Sequence, residues 1–248
     1  MEEEHREKEI VIKIDHLKKS FGNINVLDDI NLQIYKGENL VILGRSGTGK
    51  SVLIKCLVRL IESDKGTMTV LGEKVNELNG NKLDKLREKI GFLFQSAALY
   101  DSMTVRENLE FPLRLSSNMK KKEMNSRVHE VLENVGLSNA IDKMPSDLSG
   151  GMRKRIGLAR TLMMKPEIIL YDEPTTGLDP ITSKEISQLI LDVQKKYNTT
   201  SIIITHDIEC TRITSNRIVM LKNGLLHAEG NFKDLSTSKD MEVRSFFE

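Results

Sequence analysis

Cysteine is scarce in this chain of 248 residues: there are two, Cys56 and Cys210, and they have no metal-ligand spacing. Both fall in stretches that read as helix, so they are expected to be reduced packing residues, which fits a cytosolic protein. Net charge is also lacking. Lys and Arg number 37 against 36 Asp and Glu, a formal charge of +1. That excludes a broad field favouring nucleic acid or an anionic membrane, though local charge is left open. Long apolar runs are missing too. Glycine aside, none exceeds four residues, as in Leu40 to Leu43, where a spanning helix needs about 20. The chain is therefore not expected to cross a membrane itself. The opening MEEEHREKE is acidic and polar, without the basic start and apolar stretch of a secretory signal. Internal repeats and low-complexity linkers are absent.

What is present reads as a globular chain, 39% hydrophobic and 29% charged, long enough for one large or two small domains and a sizeable core. IVIKI (10–14) and INLQI (30–34) alternate with period two, as in a half-exposed antiparallel sheet. NLVIL (39–43) is continuously apolar, as in a buried parallel strand. A helix is expected from Lys50 to about Ile61, then a turn at SDKG (63–66), a strand at TMTVL, a short helix at LDKLREK and a strand at IGFLF (90–94). From Thr104 to Met144 strand signals vanish, and Val128, Val131, Leu132 and Val135 mark one helical face. MKKKE (119–123) and RKR (153–155) read as solvated helix faces. Strands return at EIILY (167–171), TSIIIT (200–205) and RIVML (217–221), with a hairpin signal at Asn223-Gly224. The fold class is α/β: a mixed core with a helical insert.

GRSGTGKS, Gly44 to Ser51, matches G-x-x-x-x-G-K-[ST] and lies between a buried strand and a helix, the context that gives the motif meaning. Its glycines let amides converge on phosphate, Lys50 bridges phosphates, and the Ser51 hydroxyl suits Mg²⁺, a hard cation. EIILYDE ends a buried strand in two acids. Asp172 is placed to hold Mg²⁺ through water and Glu173 to take a proton from an attacking water. His206 follows another strand, where it can bond a terminal phosphate or orient the water. Gln95 follows IGFLF, and its carbonyl can ligate Mg²⁺ or hold the water. DLSGGM (147–152) reads as a second helix start, capped by Asp147 or Ser149, with free amides that favour an anion. It has no lysine or acid partner, so it makes a poor nucleotide site alone.

The order of these elements resembles ABC-type ATP-binding subunits: phosphate loop, Gln95, LSGGM, YDEP, GLD (177–179) and THD (205–207). The likeness runs over nearly the whole chain. It implies a P-loop ATPase fold of the ABC type, a single domain over 1–248. Within it, a core with an antiparallel β subdomain would occupy about 8–95 and 164–235, a helical subdomain carrying the signature about 96–163, and a C-terminal tail about 236–248. It implies ATP and Mg²⁺ as cofactors. Gly44, Arg45, Ser46, Gly47, Thr48, Gly49, Lys50, Ser51 and Val52 would hold the nucleotide. Glu173, His206, Lys50 and Gln95 would be catalytic, and Ser51, Gln95 and Asp172 would hold the metal. Phe21 resembles the aromatic that stacks on adenine, with a core packing role as the other reading. Asp179 resembles the loop linking the two sites. In this family a second copy supplies its signature, here Ser149, Gly150 and Gly151, to complete the site, so that ATP joins a symmetric pair. Hydrolysis then releases the pair.

Met152 stands where the signature usually has glutamine. With GTGKSVLIK, FQSAALYDSMTVRENLEFPLR, LSGGMRKRIGLAR, YDEPTTGLDPITS and VRSFFE, it resembles the ATPase subunit of Mla/Mce-type phospholipid transporters, in which methionine is a normal variant. That implies an integral membrane permease and an Mce-domain lipid-binding protein as partners, no nucleic acid, and a place on the cytosolic face of the bacterial inner membrane. In that resemblance the tail, with Val243, Phe246 and Phe247 at helical spacing, reaches across to the partner copy; packing on its own domain is the other reading. Ala97, Ala98, Leu99, Tyr100 and Met103 suit either a groove for a permease helix or internal loop packing. Two alternatives stay open: an ABC importer for another solute such as an amino acid, and a soluble iron–sulfur-assembly-type ABC ATPase.

Overall fold

The computed structural model describes residues 9–116 and 119–247. The acidic opening, residues 1–8, and Glu248 of VRSFFE lie outside the described residues.

The alternating segments form β1 (Ile10–Phe21) and β2 (Ile24–Tyr35), longer than the alternation alone marks and paired antiparallel. The apolar NLVIL is β3 (Asn39–Leu43), buried along its length, and α1 (Lys50–Leu57) follows. This helix stops short of the expected Ile61. Val58 caps it, and Arg59 takes φ 53°, where its guanidinium reaches Leu78 O. No glycine marks that stop in the sequence. Next come β4 (Lys65–Val70), β5 (Glu73–Lys74), α2 (Asn81–Glu88) and β6 (Ile90–Leu93).

The stretch without strand signals holds α3 (Val105–Ser116) and α4 (Lys121–Asn134), and α5 (Gly150–Leu162) follows the signature. MKKKE carries its lysines exposed. The remaining elements are β7 (Ile168–Asp172), α6 (Pro180–Tyr197), β8 (Thr200–Thr205), α7 (Ile208–Thr214), β9 (Arg217–Lys222), β10 (Leu225–Gly230), α8 (Phe232–Ser236) and α9 (Met241–Arg244). Asn223 and Gly224 both have positive φ, 47° and 77°, as a two-residue hairpin turn requires.

Two sheets result: β2-β1-β4-β5, antiparallel, and a six-stranded sheet ordered β10-β9-β3-β8-β7-β6. All neighbours in the second are parallel except β10. Successive residues of its strands point to opposite faces, and each face has its own core. Leu40, Ile42, Leu170, Ile202 and Ile204 join Ile12, Ile14 and Leu27 of the antiparallel sheet and Leu53 of α1. Val41, Leu43, Ile169, Tyr171 and Ile203 join Val128, Leu132, Ile156 and Ile190 of the helices. Both faces being covered explains why the middles of these strands are continuously apolar. Among the described residues, no helix is long and apolar enough to cross a membrane.

The tail packs on its own chain. Val243 is buried, and Phe246 and Phe247 lie against the helical-face core. The Phe247 ring meets Phe232 edge-on at 5.2 Å, and Phe246 faces the Arg45 guanidinium at 6.0 Å.

Candidate active site

The carboxyl ends of β3, β8, β7 and β6 are neighbours at one edge of the sheet, where ligands of parallel α/β sheets bind. Gly44–Ser51 turns there from β3 into α1. Gly49 has φ 99°, and a Cβ on it would sit 2.7 Å from Val26 O, so both conformation and space call for glycine. Arg45, Ser46 and Gly47 are exposed, Thr48 is half-buried, and the Thr48 hydroxyl donates to Arg45 O at 2.9 Å. Val52 packs on the core beneath the antiparallel sheet.

Lys50 is 5% exposed. Its Nζ donates to Gly44 O at 2.8 Å and Arg45 O at 2.9 Å, and lies 3.8 Å from Glu173 Oε1. Burial pulls its pKa below the usual lysine value, and the charges of Glu173 and Asp172 partly oppose this. The Ser51 hydroxyl donates to Asp172 Oδ1 at 2.7 Å. These two oxygens, one on α1 and one at the end of β7, form a hard donor pair suited to a small dication.

Glu173 leaves β7 with φ 51°, an uncommon conformation for a residue with a side chain. Its backbone N donates to Ile204 O at 2.9 Å. Its Oε2 accepts from the Thr176 hydroxyl at 3.0 Å and lies 2.8 Å from His206 Nδ1. The Thr175 hydroxyl donates to Asp207 Oδ2 at 2.8 Å, a second tie between the loops after β7 and β8. A cleft of about 410 Å³ runs along these loops, past Thr176, Leu178, His206 and Cys210. A larger cavity of about 770 Å³, lined by Tyr35, Glu38, Arg217 and Glu229, lies at the opposite, amino-terminal ends of β3 and β9 and contains none of the expected side chains.

Lys50, Glu173 and His206 thus form one chain of contacts, and Ser51 with Asp172 a second, set beside the first because each pair partner is the next residue in sequence. Gln95 stands exposed after β6. In the loop beyond it, Ala97 and Ala98 both have positive φ, and Arg160 of α5 donates to their carbonyls at 3.1 and 2.8 Å. Ala97 is buried and Leu99 packs inward, while Tyr100 remains 45% exposed. Phe21 ends β1, 47% exposed, with Lys19 Nζ 5.2 Å from its ring centre; it is a surface residue, not a core one.

Ser149 is the residue that caps α5, accepting from Met152 N at 3.2 Å; Asp147 does not. Ser149 is exposed. A Cβ on Gly151 would lie 2.5 Å from Thr182 Cγ2, so glycine lets α5 approach α6 there. Asp179 caps α6, accepting from Ile181 N at 3.1 Å and Thr182 N at 3.0 Å. The Thr182 hydroxyl, then these amides, hold its carboxyl below the usual range.

RKR (153–155) is a solvated face only in part: Arg153 is exposed and Arg155 half-buried, but Lys154 is turned inward. Arg153 donates to Leu148 O at 2.6 Å and Arg155 to Glu185 Oε2 at 2.6 Å. Lys154 is 5% exposed, and its Nζ donates to Glu173 O at 3.0 Å. Its position was readable: Gly151 lies three residues before it and Leu158 four after, so it belongs to the apolar face. Burial lowers its pKa to about 8, against the pull of Glu173 and Asp172.

Such an arrangement, with a buried lysine under a glycine-rich helix start and two acids opposite, can hold a polyphosphate and accept a proton from water. A protein-family model described as ABC transporter matches residues 27–176, more than half of the chain. A probable ribonucleotide transport ATP-binding protein of Mycobacterium leprae is 40% identical over 96% of this chain and 68% of its own length. A methionine import ATP-binding protein of Clostridium tetani is 37% identical over 96% of this chain and 74% of its own. The chain thus spans about two thirds to three quarters of these relatives. Among solved structures, a dimeric ATP-binding cassette in a post-hydrolysis state bound to ADP and Pi superposes with TM-score 0.82 at 34% identity, over 90% of this chain and 99% of that one. Part of the cbiONQ ABC transporter complex of Clostridium perfringens does so with TM-score 0.86 at 29% identity, over 96% and 94%. Similar over almost its whole length to transporter ATP-binding proteins, the chain belongs to the ABC transporter family and is one of its ATPases.

Proposed function

We propose that the chain powers a phospholipid transporter of the Mla/Mce type, working as a pair of copies that enclose two ATP molecules beneath an integral membrane permease. The observation that carries the ATP chemistry is the side-by-side placement of the Lys50–Glu173–His206 contacts and the Ser51–Asp172 pair. The pairing is supported by Ser149, exposed at the head of α5 and outside those contacts, and by the dimeric state of a similar cassette.

In this reading the amides of Gly44–Ser51 and the Lys50 ammonium bind the ATP phosphates, Lys50 exchanging the loop carbonyls for phosphate oxygens. Phe21 stacks on adenine. Ser51 and Asp172, with Gln95, would hold Mg²⁺, which when bound draws charge from the phosphoryl oxygens. Glu173 takes the proton of the attacking water, its carboxylate aimed by His206 and Thr176. Ser149, Gly150 and Gly151 of the other copy close over the terminal phosphate. Its loss on hydrolysis removes that contact, and the copies part.

The lipid assignment rests on Met152 in the signature and on the extended segments around each motif, and it implies an Mce-domain protein as third partner. The names of the similar proteins favour a second reading, an importer of a small solute such as methionine or a ribonucleotide. Purifying the native complex through this chain separates the two. Co-purification of a permease with an Mce-domain protein and bound phospholipid supports the first reading. A permease with a solute-binding protein and no lipid overturns it in favour of the second.

A further inference from the structure

We propose that Lys154 is a positioning residue for Glu173: it grips the Glu173 carbonyl from α5 and so fixes the strained turn from which the carboxylate is aimed. This rests on the reading of Glu173 as the base.

Lys154 is embedded in the apolar face of α5, 5% exposed, among Gly151, Leu158 and Leu162. A leucine or methionine would fill that place without desolvating an ammonium, so a lysine there costs stability unless its donors are used. They are used on one specific atom, Glu173 O, at 3.0 Å. Glu173 needs holding because its φ of 51° is disfavoured for a residue with a side chain. Its backbone is anchored on both sides: the amide donates to Ile204 O of β8, and the carbonyl accepts from Thr176 N at 3.3 Å and, across from α5, from Lys154 Nζ at 3.0 Å. The side chain is held separately, by Thr176 and His206. Without Lys154 the tie from α5 is gone, and the carbonyl keeps only the longer bond from Thr176 N of its own loop. The attractions of Glu173 and Asp172 for the ammonium act in the same direction as the hydrogen bond. The helix that supplies this grip begins at Ser149, so the element offered to the opposite nucleotide also holds the base of its own.

The test compares Lys154→Met, which keeps the volume and removes the donors, with Lys154→Arg, which keeps donors and charge, in the full-length chain. Steady-state ATPase and equilibrium ATP binding are measured for each. Lys154→Met is expected to lower kcat by about 10- to 100-fold, with KM and ATP affinity within about threefold, as misplacing a base does. Lys154→Arg is expected to recover most of the loss. A residue that only fills space would give the reverse order, with methionine tolerated and arginine not. Should Lys154→Met fail to fold, Lys154→Leu, which also lacks a donor, takes its place with the same expected split. Parental kcat in Lys154→Met, a KM that rises in step with the fall in kcat, or failure of Lys154→Arg overturns the proposal. Glu173→Gln is run alongside. Parental turnover there overturns the base assignment and the proposal with it, whereas an inactive Glu173→Gln beside a fully active Lys154→Met overturns the Lys154 proposal alone.

Discussion

His206 Nδ1 lies 2.8 Å from Glu173 Oε2, joining the loops at the ends of two adjacent parallel strands. The histidine side chain is 58% exposed and the glutamate 12%, so the imidazole reaches down from the surface onto a nearly enclosed carboxylate. His206→Ala is expected to reduce kcat by about 100-fold, the range for an aligned acid–base group. ATP binding should stay within about threefold, since Lys50 and the loop amides are untouched. Rapid-quench single-turnover assays beside equilibrium binding would show it. A variant losing affinity and keeping its chemical rate would assign His206 to binding instead.

Lys50 sits under the glycine-rich turn with its ammonium directed to the carbonyls of Gly44 and Arg45. Lys50→Ala removes the buried positive charge that the phosphates would meet. ATP affinity is expected to fall at least tenfold, about 1.4 kcal/mol, by isothermal titration calorimetry. Unchanged affinity would remove Lys50 from the binding account.

The tail behaves as part of its own domain. Val243 is 1% exposed, Lys222 Nζ meets Glu242 Oε2 at 2.5 Å, and His227 Nε2 lies 3.1 Å from Asp240 Oδ2. Deleting residues 241–248 is expected to lower the melting temperature of the isolated chain by several degrees, about 2–4 °C per kcal/mol lost at this size. The shift should be independent of protein concentration. A melting temperature that drops only at concentrations where copies associate would return the tail to the partner subunit.

Lys154 gives a pH dependence of defined sign. Its pKa is about 8 in the folded chain against the ordinary 10.5. Between those values the unfolded chain binds more protons, so stability rises with pH across that window. Burial of the charged form penalises the fold fully below pH 8. Cys56 and Cys210, both pushed up to about 11 by burial, act in the opposite direction above pH 9, but equally in parent and variant. Urea unfolding of the parent relative to Lys154→Met should therefore favour the parent increasingly from pH 8 to 10. A pH-independent difference would mean that the ammonium is not desolvated as the fold suggests.

Much of this was legible in the sequence because periodicity and burial are coupled. NLVIL and TSIIIT are buried at every position, with unbroken apolar runs at Leu40–Leu43 and Ile202–Ile204, because both faces of their strands are covered, and the motif residues lie where such strands end. What stayed hidden depends on tertiary contact. Arg59 halts α1 through its backbone and its reach to Leu78 O, with no local breaker. The middle residue of RKR is a different case: its place three after Gly151 and four before Leu158 was legible, and it looks solvated only because charge is read before position. Arg160 and the paired left-handed alanines, Ala97 and Ala98, shape the loop after Gln95 without any turn residue to announce it.

The pairing of copies around ATP is tested most directly by cross-linking. One preparation carries Ser149→Cys and a second Ser46→Cys, both with Glu173→Gln to hold the nucleotide, and a short bis-maleimide is added to the mixture. A covalent dimer that forms in the mixture with ATP, and neither without ATP nor from either preparation alone, is the expected result. No ATP-dependent dimer, or one that forms equally without nucleotide, would contradict a site completed by Ser149 of the second copy.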